Sequence, residues 1–561
     1  MKSYRRTKAV AKAAAAAIYF FLFQGEVLAQ DNSLQFDGTD DHITFASGPA
    51  FNGSGTMTFE AWIYPTNVTG IHTIASWNDG GGGLANFYIQ NGVLELFEDD
   101  GVVNSGGVVG TMTVNINEWT HVAFVETAGS FDFYVNGSGE SLGAPAGSTG
   151  TLATYALGTS NAGTNNFEGL MDEVRVWGIA QSQPTIDVQR FNALVGNESN
   201  LTAYYQFNET TGTLLPDLTA STFDGTLVNF PGSTDPNWVL STALTEIFTV
   251  TNTNDDFAGS FRQAISDANG STADNVAISF DIAGGGPWII SLATQLPNIT
   301  RALTINGKSQ PGWDFATENM VTLDLAAVTN GDGFIISSPN VSVIGMKTLN
   351  ADFGIQINGE TYDNALIESN IINQNIVTAI DIINADNITI KGNHIGVSGD
   401  GLFNQATSGT GISASSSDNL MLGGNRSMGE GNHIVGNAFS SYLIVISGSN
   451  APTLHGNLVG LSVDGTDITT SRGISFNTTD NIVIGNLDDN LRNYVAGIDN
   501  LAALSITNGS GIDVVNNYIG AGIVDTHTVG NNVTGVSTSG ITNFTFEGNL
   551  IGGSTGQGLI L

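Results

Sequence analysis

The chain has 561 residues, too many for one hydrophobic core, with 41 % apolar and only 12 % charged residues, so it reads as two or more folded domains, not as disorder. Its formal charge is −37, from 15 basic against 52 acidic residues. Such a balance makes nucleic acid and anionic membranes poor partners, since phosphate binding needs clustered Lys and Arg. The absence of Cys excludes disulfides, thiol catalysis and thiolate metal sites.

In chain order, Lys2, Arg5, Arg6, Lys8 and Lys12 precede the apolar run AAAAAIYFFLF, and VLAQ follows. That order predicts a secretory signal over residues 1–29, cleaved after Ala29. The run is too short to span a bilayer comfortably, and no later stretch is long enough. The protein is therefore expected to be secreted or held on the outer surface of a bacterium, not to span a membrane.

From residue 31 to about 242, segments of period-two alternation succeed one another: LQFDGTDDHITF, MTFEAWIYP, NFYIQNGVLELF, EWTHVAFVET, FDFYVNG and MDEVRVW. In MTFEAWIYP, Phe59, Ala61 and Ile63 share one face and Glu60, Trp62 and Tyr64 the other. Turn signals stand at Asp37-Gly38, Asn91-Gly92 and Asn136-Gly137. Many strands joined by tight turns predict an antiparallel β-sandwich. These segments, with NEWTHVAFV, GLMDEVRVWGIAQS and the trailing NLTAYYQFNETTGTLLPDLTASTFDGTLVN, resemble the laminin-G-like, concanavalin A-type jelly-roll. The resemblance implies two curved sheets, a glycan or protein ligand and, in some members, bound Ca²⁺.

Two groups of site residues are candidates. Asp37, Asp40 and Asp41 lie at the first strand, and Asp172 and Glu173 open the last. Terminal strands of a jelly-roll are usually neighbours, and Ca²⁺ takes six to eight oxygens, which such carboxylates supply. The alternative is that they bind turn amides and Arg175. In SWNDGGGG, Trp77 with Asn78 and Asp79 offers a ring to stack on a sugar and polar groups for its hydroxyls. The alternative is a packed Trp beside a Gly-rich loop.

From residue 246 the pattern changes. SFRQAISDAN is a short helix candidate with Phe261, Ala264, Ile265 and Ala268 on one face, and it resembles the amino-terminal cap of bacterial surface β-helix proteins. Short strands then recur, as GISA at Gly411, LIVI at Leu443, GISF at Gly473 and GVST at Gly535. Each is followed by a second element such as NLMLGGN or NIVIGN and often by a third such as NHIG or NYIG. Asn419, Asn481 and Asn543 recur at equal steps. Three brief strands per rung, broken by Asn and Gly, predict a right-handed parallel β-helix over residues 246–561 with aliphatic residues stacked inside. Longer rungs bulge at one corner, where Asp400, Asp464 and Asp525 offer oxygens to Ca²⁺. The chain stops at GLIL in mid-repeat, so further coils are expected beyond it.

Two functions fit this organisation. One is a non-catalytic surface protein whose jelly-roll binds a polysaccharide or glycoprotein and whose β-helix is a stalk. The other is a polysaccharide-active hydrolase or lyase with a catalytic β-helix and a targeting jelly-roll, for which paired carboxylates or an Arg–acid–Ca²⁺ group would be required. Adhesion between cells is a third, weaker reading. No catalytic string is present, and fold alone decides nothing. The oligomeric state is not legible.

Overall fold

A computed structural model describes residues 32–560, apart from 54, 103–104, 146–150, 231–237, 406–408, 437–441, 464–471, 497–501, 521–533 and 553–556. The expected signal sequence, Asp464 and Asp525 lie outside the described residues. The chain divides into two units, Met1–Thr245 and Glu246–Leu561. Among the described residues no helix is long and apolar enough to cross a membrane.

The first unit is a sandwich of two antiparallel sheets. One runs in the order Ser138–Gly143, Ser130–Val135, Thr120–Thr127, Thr56–Pro65, Glu168–Trp177, Asn32–Asp37 and Trp238–Leu240. The other runs Leu214–Leu215, Gly225–Val228, His42–Phe45, Thr154–Leu157, Ile71–Asn78, Leu84–Gln90, Val93–Asp99 and Ser105–Thr113. The alternation expected in MTFEAWIYP holds: Phe59, Ala61 and Ile63 enter the core between the sheets, while Trp62 packs on the opposite face with Ala243 and Leu244. The core is aromatic, with Phe51, Phe59, Phe87, Phe124, Phe131 and Phe133 fully buried.

The strand Glu168–Trp177 carries a bulge, which the alternation of MDEVRVW does not reveal. Asp172 pairs with Trp62 and Arg175 with Glu60, so two residues on this strand face the single residue Ala61. Glu173 takes a positive φ of 50° there. The extra residue puts Met171 and Val174 into the core and turns the intervening pair of carboxylates to other partners. The Glu173 carboxylate accepts from Arg175 at 2.7 Å and from the Tyr204 hydroxyl at 2.8 Å. Arg175 also donates to the carbonyls of Gln189 and Asn192. This buried pair closes the chain after the short helix Gln183–Gln189 over the outer face of the sheet.

The second unit is a parallel β-helix. Its three sheets contain eleven, ten and nine described strands, paired in parallel from Asn275–Phe280 onward, one strand of each sheet per rung. The predicted cap is present as helix Phe261–Gly270. Ser260 caps it by accepting from the Gln263 amide, and Phe261 packs on Phe280 and Phe334. Inside, Ile305, Val343, Ile367, Ile390, Leu422, Leu454, Ile484 and Val514 fall in one register column, all of them buried. Each contributes ~1.5–3 kcal/mol by leaving water.

At one corner a second column stands beside the first. Asn370, Asn393, Asn432, Asn457, Asn493, Asn517 and Asn549 each donate to a carbonyl of the preceding rung at 2.7–2.8 Å. Each of the first six also bonds the amide oxygen of the next, with N···O distances of 2.9–3.1 Å between side chains. The Asn residues at 62-residue steps, Asn419, Asn481 and Asn543, occupy a different, exposed corner with φ of 52–55°. His394 and His433 meet edge to face on adjacent rungs, ring centroids 5.1 Å apart, beside corner loops that bond each other through Val463 N and Gly401 O.

Two stability predictions follow from these positions. Replacing Asn457 by Ala strands the Leu422 carbonyl, the Asn432 amides and one amide hydrogen-bond partner on Asn493. It should cost about 3 kcal/mol in denaturant unfolding, at 1–3 kcal/mol per buried group left unpaired, whereas Asn419→Gly at the exposed corner should cost less than about 1 kcal/mol. In the sandwich, Glu126 is fully buried, one oxygen accepting from Gly55 N at 2.9 Å and the other unpartnered. Burial pushes its carboxyl up to about 7, against ~4.3 unfolded. Ionisation thus opposes folding, and stability is lost as pH rises from about 4 to about 7. Glu126→Gln, which keeps the acceptor for Gly55, should gain in thermal midpoint over the parent progressively from pH 4 to pH 8; a constant offset would refute the assignment.

Candidate functional site

The hairpin formed by Leu84–Gln90 and Val93–Asp99 sets the geometry of the site. The Asn91-Gly92 turn fixes its register, pairing Asn86 with Phe97, Phe87 with Leu96 and Tyr88 with Glu95. Phe87, Ile89, Leu94 and Leu96 point into the core. Asn86, Tyr88, Glu95 and Phe97 occupy the other phase and are half-buried on the solvent face of the sheet. Ser76 and Thr73 of the neighbouring strand continue the rows, opposite Asn86 and Tyr88.

A chain of amides crosses this face. Asn78 donates to Asn161 Oδ1 at 2.8 Å, and Asn161 donates to the Trp77 carbonyl at 2.8 Å and to Asn86 Oδ1 at 3.2 Å. Asn161 comes from the loop between Leu157 and Glu168, which is tied to the sheet by Gly158 N on Ile74 O and Thr73 N on Asn165 O. Beside it, the Tyr88 hydroxyl donates to Glu95 at 3.0 Å. Burial, and then the Glu95 charge, hold the Tyr88 phenol well above its ordinary pKa, so it remains a donor. The face thus offers two aromatic rings, amide donors and acceptors, and one carboxylate.

The residues expected at SWNDGGGG separate. Trp77 is a correction: it falls on the inward phase of Ile71–Asn78, is fully buried, and donates to the Pro49 carbonyl at 3.0 Å. Its ring packs on Phe51, Phe59, Phe124 and Tyr155 and presents no face to a ligand. Asn78 is on the outer face, in the amide chain. Asp79 holds its own loop by accepting from Gly81 N and Gly83 N. The loop abuts Gly101, where a Cβ would stand 2.6 Å from the Gly82 carbonyl carbon, so only glycine fits.

The acidic candidates separate too. Oxygens of Asp37, Asp40 and Asp41 lie within 4.8 Å of one another. Asp172 and Glu173 do not join them. The terminal strands are indeed neighbours, but their register sets Asp37 opposite Glu168. Asp172 instead accepts from the Ser241 hydroxyl and the Glu173 amide, and Glu173 is committed to Arg175 and Tyr204. In the β-helix, Asp400 accepts from Ser398 and Leu402 N. Glu318 pairs with Lys347 and accepts from Gly399 N and Gln405. Asp363, Asp386, Asp418 and Asp480 each take a backbone N–H of an adjacent rung.

Residues 37–187 match the concanavalin A-like lectin/glucanases superfamily and lie within the antiparallel two-sheet sandwich. Among solved structures, a candidate carbohydrate binding protein from Bacteroides ovatus is similar at 22 % identity and a TM-score of 0.28, over 35 % of this chain. The match spans 58 % of that structure's own length. Domains LG4-5 of the mouse laminin alpha1 chain are similar at 16 % identity and a TM-score of 0.23, over 28 % of this chain and 44 % of that one. Domain 4 of an extracellular arabinanase from Geobacillus stearothermophilus, solved with arabinotriose, is similar at 21 % identity and a TM-score of 0.21, over 28 % of this chain and 96 % of that one. No curated protein matches the chain.

Proposed function

We propose that the protein is exported and binds a neutral glycan on the solvent face of the hairpin sheet, with the β-helix as its carrier and no catalytic role. The observation that carries this reading is the amide chain Asn78–Asn161–Asn86 set beside the half-exposed rings of Tyr88 and Phe97. A sugar presents a C–H face to a ring and hydroxyls to amides at the same time. The lectin/glucanase family match over residues 37–187 supports the same class of ligand. Glu95 on the face and the net charge of −37 disfavour anionic sugars. The carboxylates of the β-helix described above are engaged by Lys347, side-chain donors and backbone amides, which supports a column over a cradle for hydrolysis.

The test is a glycan array probed with the full mature chain. Binding to one or more neutral glycans is expected. Phe97→Ala should weaken it about tenfold, as an aromatic contact of ~1–1.5 kcal/mol is lost, with an unchanged thermal midpoint. Asn86→Ala should weaken it as well. Absence of any neutral hit, or hits that both variants bind like the parent, would remove this assignment. Release of reducing or unsaturated ends from a bound polysaccharide would instead show that the chain is an enzyme.

A further inference from the structure

We propose that the loop over residues 158–167 is a lid, and that the strip of strand Ile71–Asn78 beneath it, carrying Thr73 and Ser76, is a further part of the ligand face that the lid keeps covered. What points to a ligand is a pair of buried hydroxyls on the outer side of this strand with nothing to bind. Thr73 and Ser76 stand in the solvent-facing rows, opposite Tyr88 and Asn86, yet each is only 1 % exposed. Neither Thr73 Oγ1 nor Ser76 Oγ has a hydrogen-bond partner. On an open sheet face both would be wet. The loop lies across them. Asn161 bonds the carbonyl of Trp77, next to Ser76 in the chain, and Oδ1 of Asn86, opposite Ser76 on the sheet. The Asn165 carbonyl accepts from Thr73 N at 2.8 Å.

The contact between loop and sheet is polar on both sides. The loop reads GTSNAGTNNF. Its apolar side chains are Ala162, which is exposed, and Phe167, which sits in the core at the neck. The tip, residues 162–165, is exposed throughout, so no hydrophobic burial holds it down. Its attachments are hydrogen bonds: those of Asn161 and Asn165, His72 Nδ1 facing the Asn166 carbonyl at 3.2 Å, and the Asn166 amide donating to the Thr39 carbonyl. Water replaces such bonds when the loop lifts, so each contributes little net. The two dry hydroxyls oppose closure, since a group buried without a partner loses its hydration without return. The neck is separate. Phe167 N donates to the Gly158 carbonyl and Gly158 N to the Ile74 carbonyl, both at 2.9 Å, and Gly158 takes a φ of 79°. The chain between these two residues lifts as a unit while the neck stays closed.

A ligand that enters under the lid must satisfy what the lid leaves dry. Hydroxyls both donate and accept, so those of a sugar are matched in kind to Thr73 and Ser76. Lifting the loop joins Ser76 to the row of Asn86 and Phe97, and Thr73 to the row of Tyr88 and Glu95, which widens the face by one strand. Affinity is then lowered in proportion to the share of molecules whose lid is open. This ligand half rests on the glycan reading; the lid does not.

The experiment follows hydrogen exchange in the full mature chain. The Thr73 amide reads lid opening, because its partner is the Asn165 carbonyl of the loop, and the Gly158 and Phe167 amides read the neck. In the parent, Thr73 should exchange faster than both neck amides. Ser76→Ala removes a dry hydroxyl from beneath the lid, so it should slow Thr73 exchange about tenfold without lowering the thermal midpoint. Asn161→Ala removes an attachment and should speed Thr73 exchange with the neck amides unchanged. Thr73 exchange as slow as that of the neck, or exchange that Ser76→Ala leaves equal or makes faster, overturns the lid. The second arm titrates a neutral glycan taken from the array into the parent and Ser76→Ala. The variant should bind about tenfold more weakly, since the lid is held closed and a hydroxyl partner is lost. Equal affinity overturns the covered strip and leaves the lid standing. A parent that binds no neutral glycan removes the ligand half together with the glycan reading, and the exchange results then decide the lid alone.

Discussion

The amide column from Asn370 to Asn549 is the constraint on which the second unit depends. A β-helix must turn its backbone inward at every corner, and the peptide groups there are shut away from water. Each Asn supplies a donor for the carbonyl of the rung before and an acceptor for the amides of its neighbour, so the groups that meet at this corner are paired. The aliphatic column supplies the apolar free energy, but stacked Ile and Leu alone tolerate slippage. The Asn column fixes the rungs in one registry, because a shifted rung would leave several buried polar groups unpaired at once.

This also explains why rung length varies without disturbing the stack. Successive column members are separated by 23, 39, 25, 36, 24 and 32 residues. Added residues leave the corner as loops and rejoin it at the next Asn. Two rungs make up the 62-residue step visible in the sequence. Corner loops of these rungs bond each other through Val463 N and Gly401 O beside the buried His433.

Legibility in the sequence followed the strength of the period. The alternation of LQFD, MTFEAWIYP and NFYIQNGVLELF announced the sandwich, and the GIS-type tripeptides with their trailing Asn announced the rungs. The site was less visible because alternation tells two faces apart without saying which is inside. Ile71–Asn78 has a register shift between Thr73 and Ala75, so counting from its first residue puts Trp77 on the wrong face. A signal was nevertheless present: Tyr88 and Phe97 stand in the polar phase of a hairpin whose NG turn fixes its register, where aromatic residues have no core to fill. For Asp172 and Glu173 the alternative reading holds, since Asp172 accepts from a backbone amide and Glu173 pairs with Arg175, but the metal reading does not. Their partners depend on a bulge and on cross-strand register, neither of which leaves a local mark.

The amide column carries an evolutionary consequence. Because the members from Asn393 to Asn517 make the same bonds above and below, deleting or duplicating a 62-residue block joins like to like. Unequal recombination between such blocks in the gene would lengthen or shorten the stack by two rungs, ~10 Å at a time, and restore the hydrogen bonds at the seam. The chain is in this sense modular at the level of DNA exchange, with its reach adjustable in discrete increments and its interior chemistry left untouched.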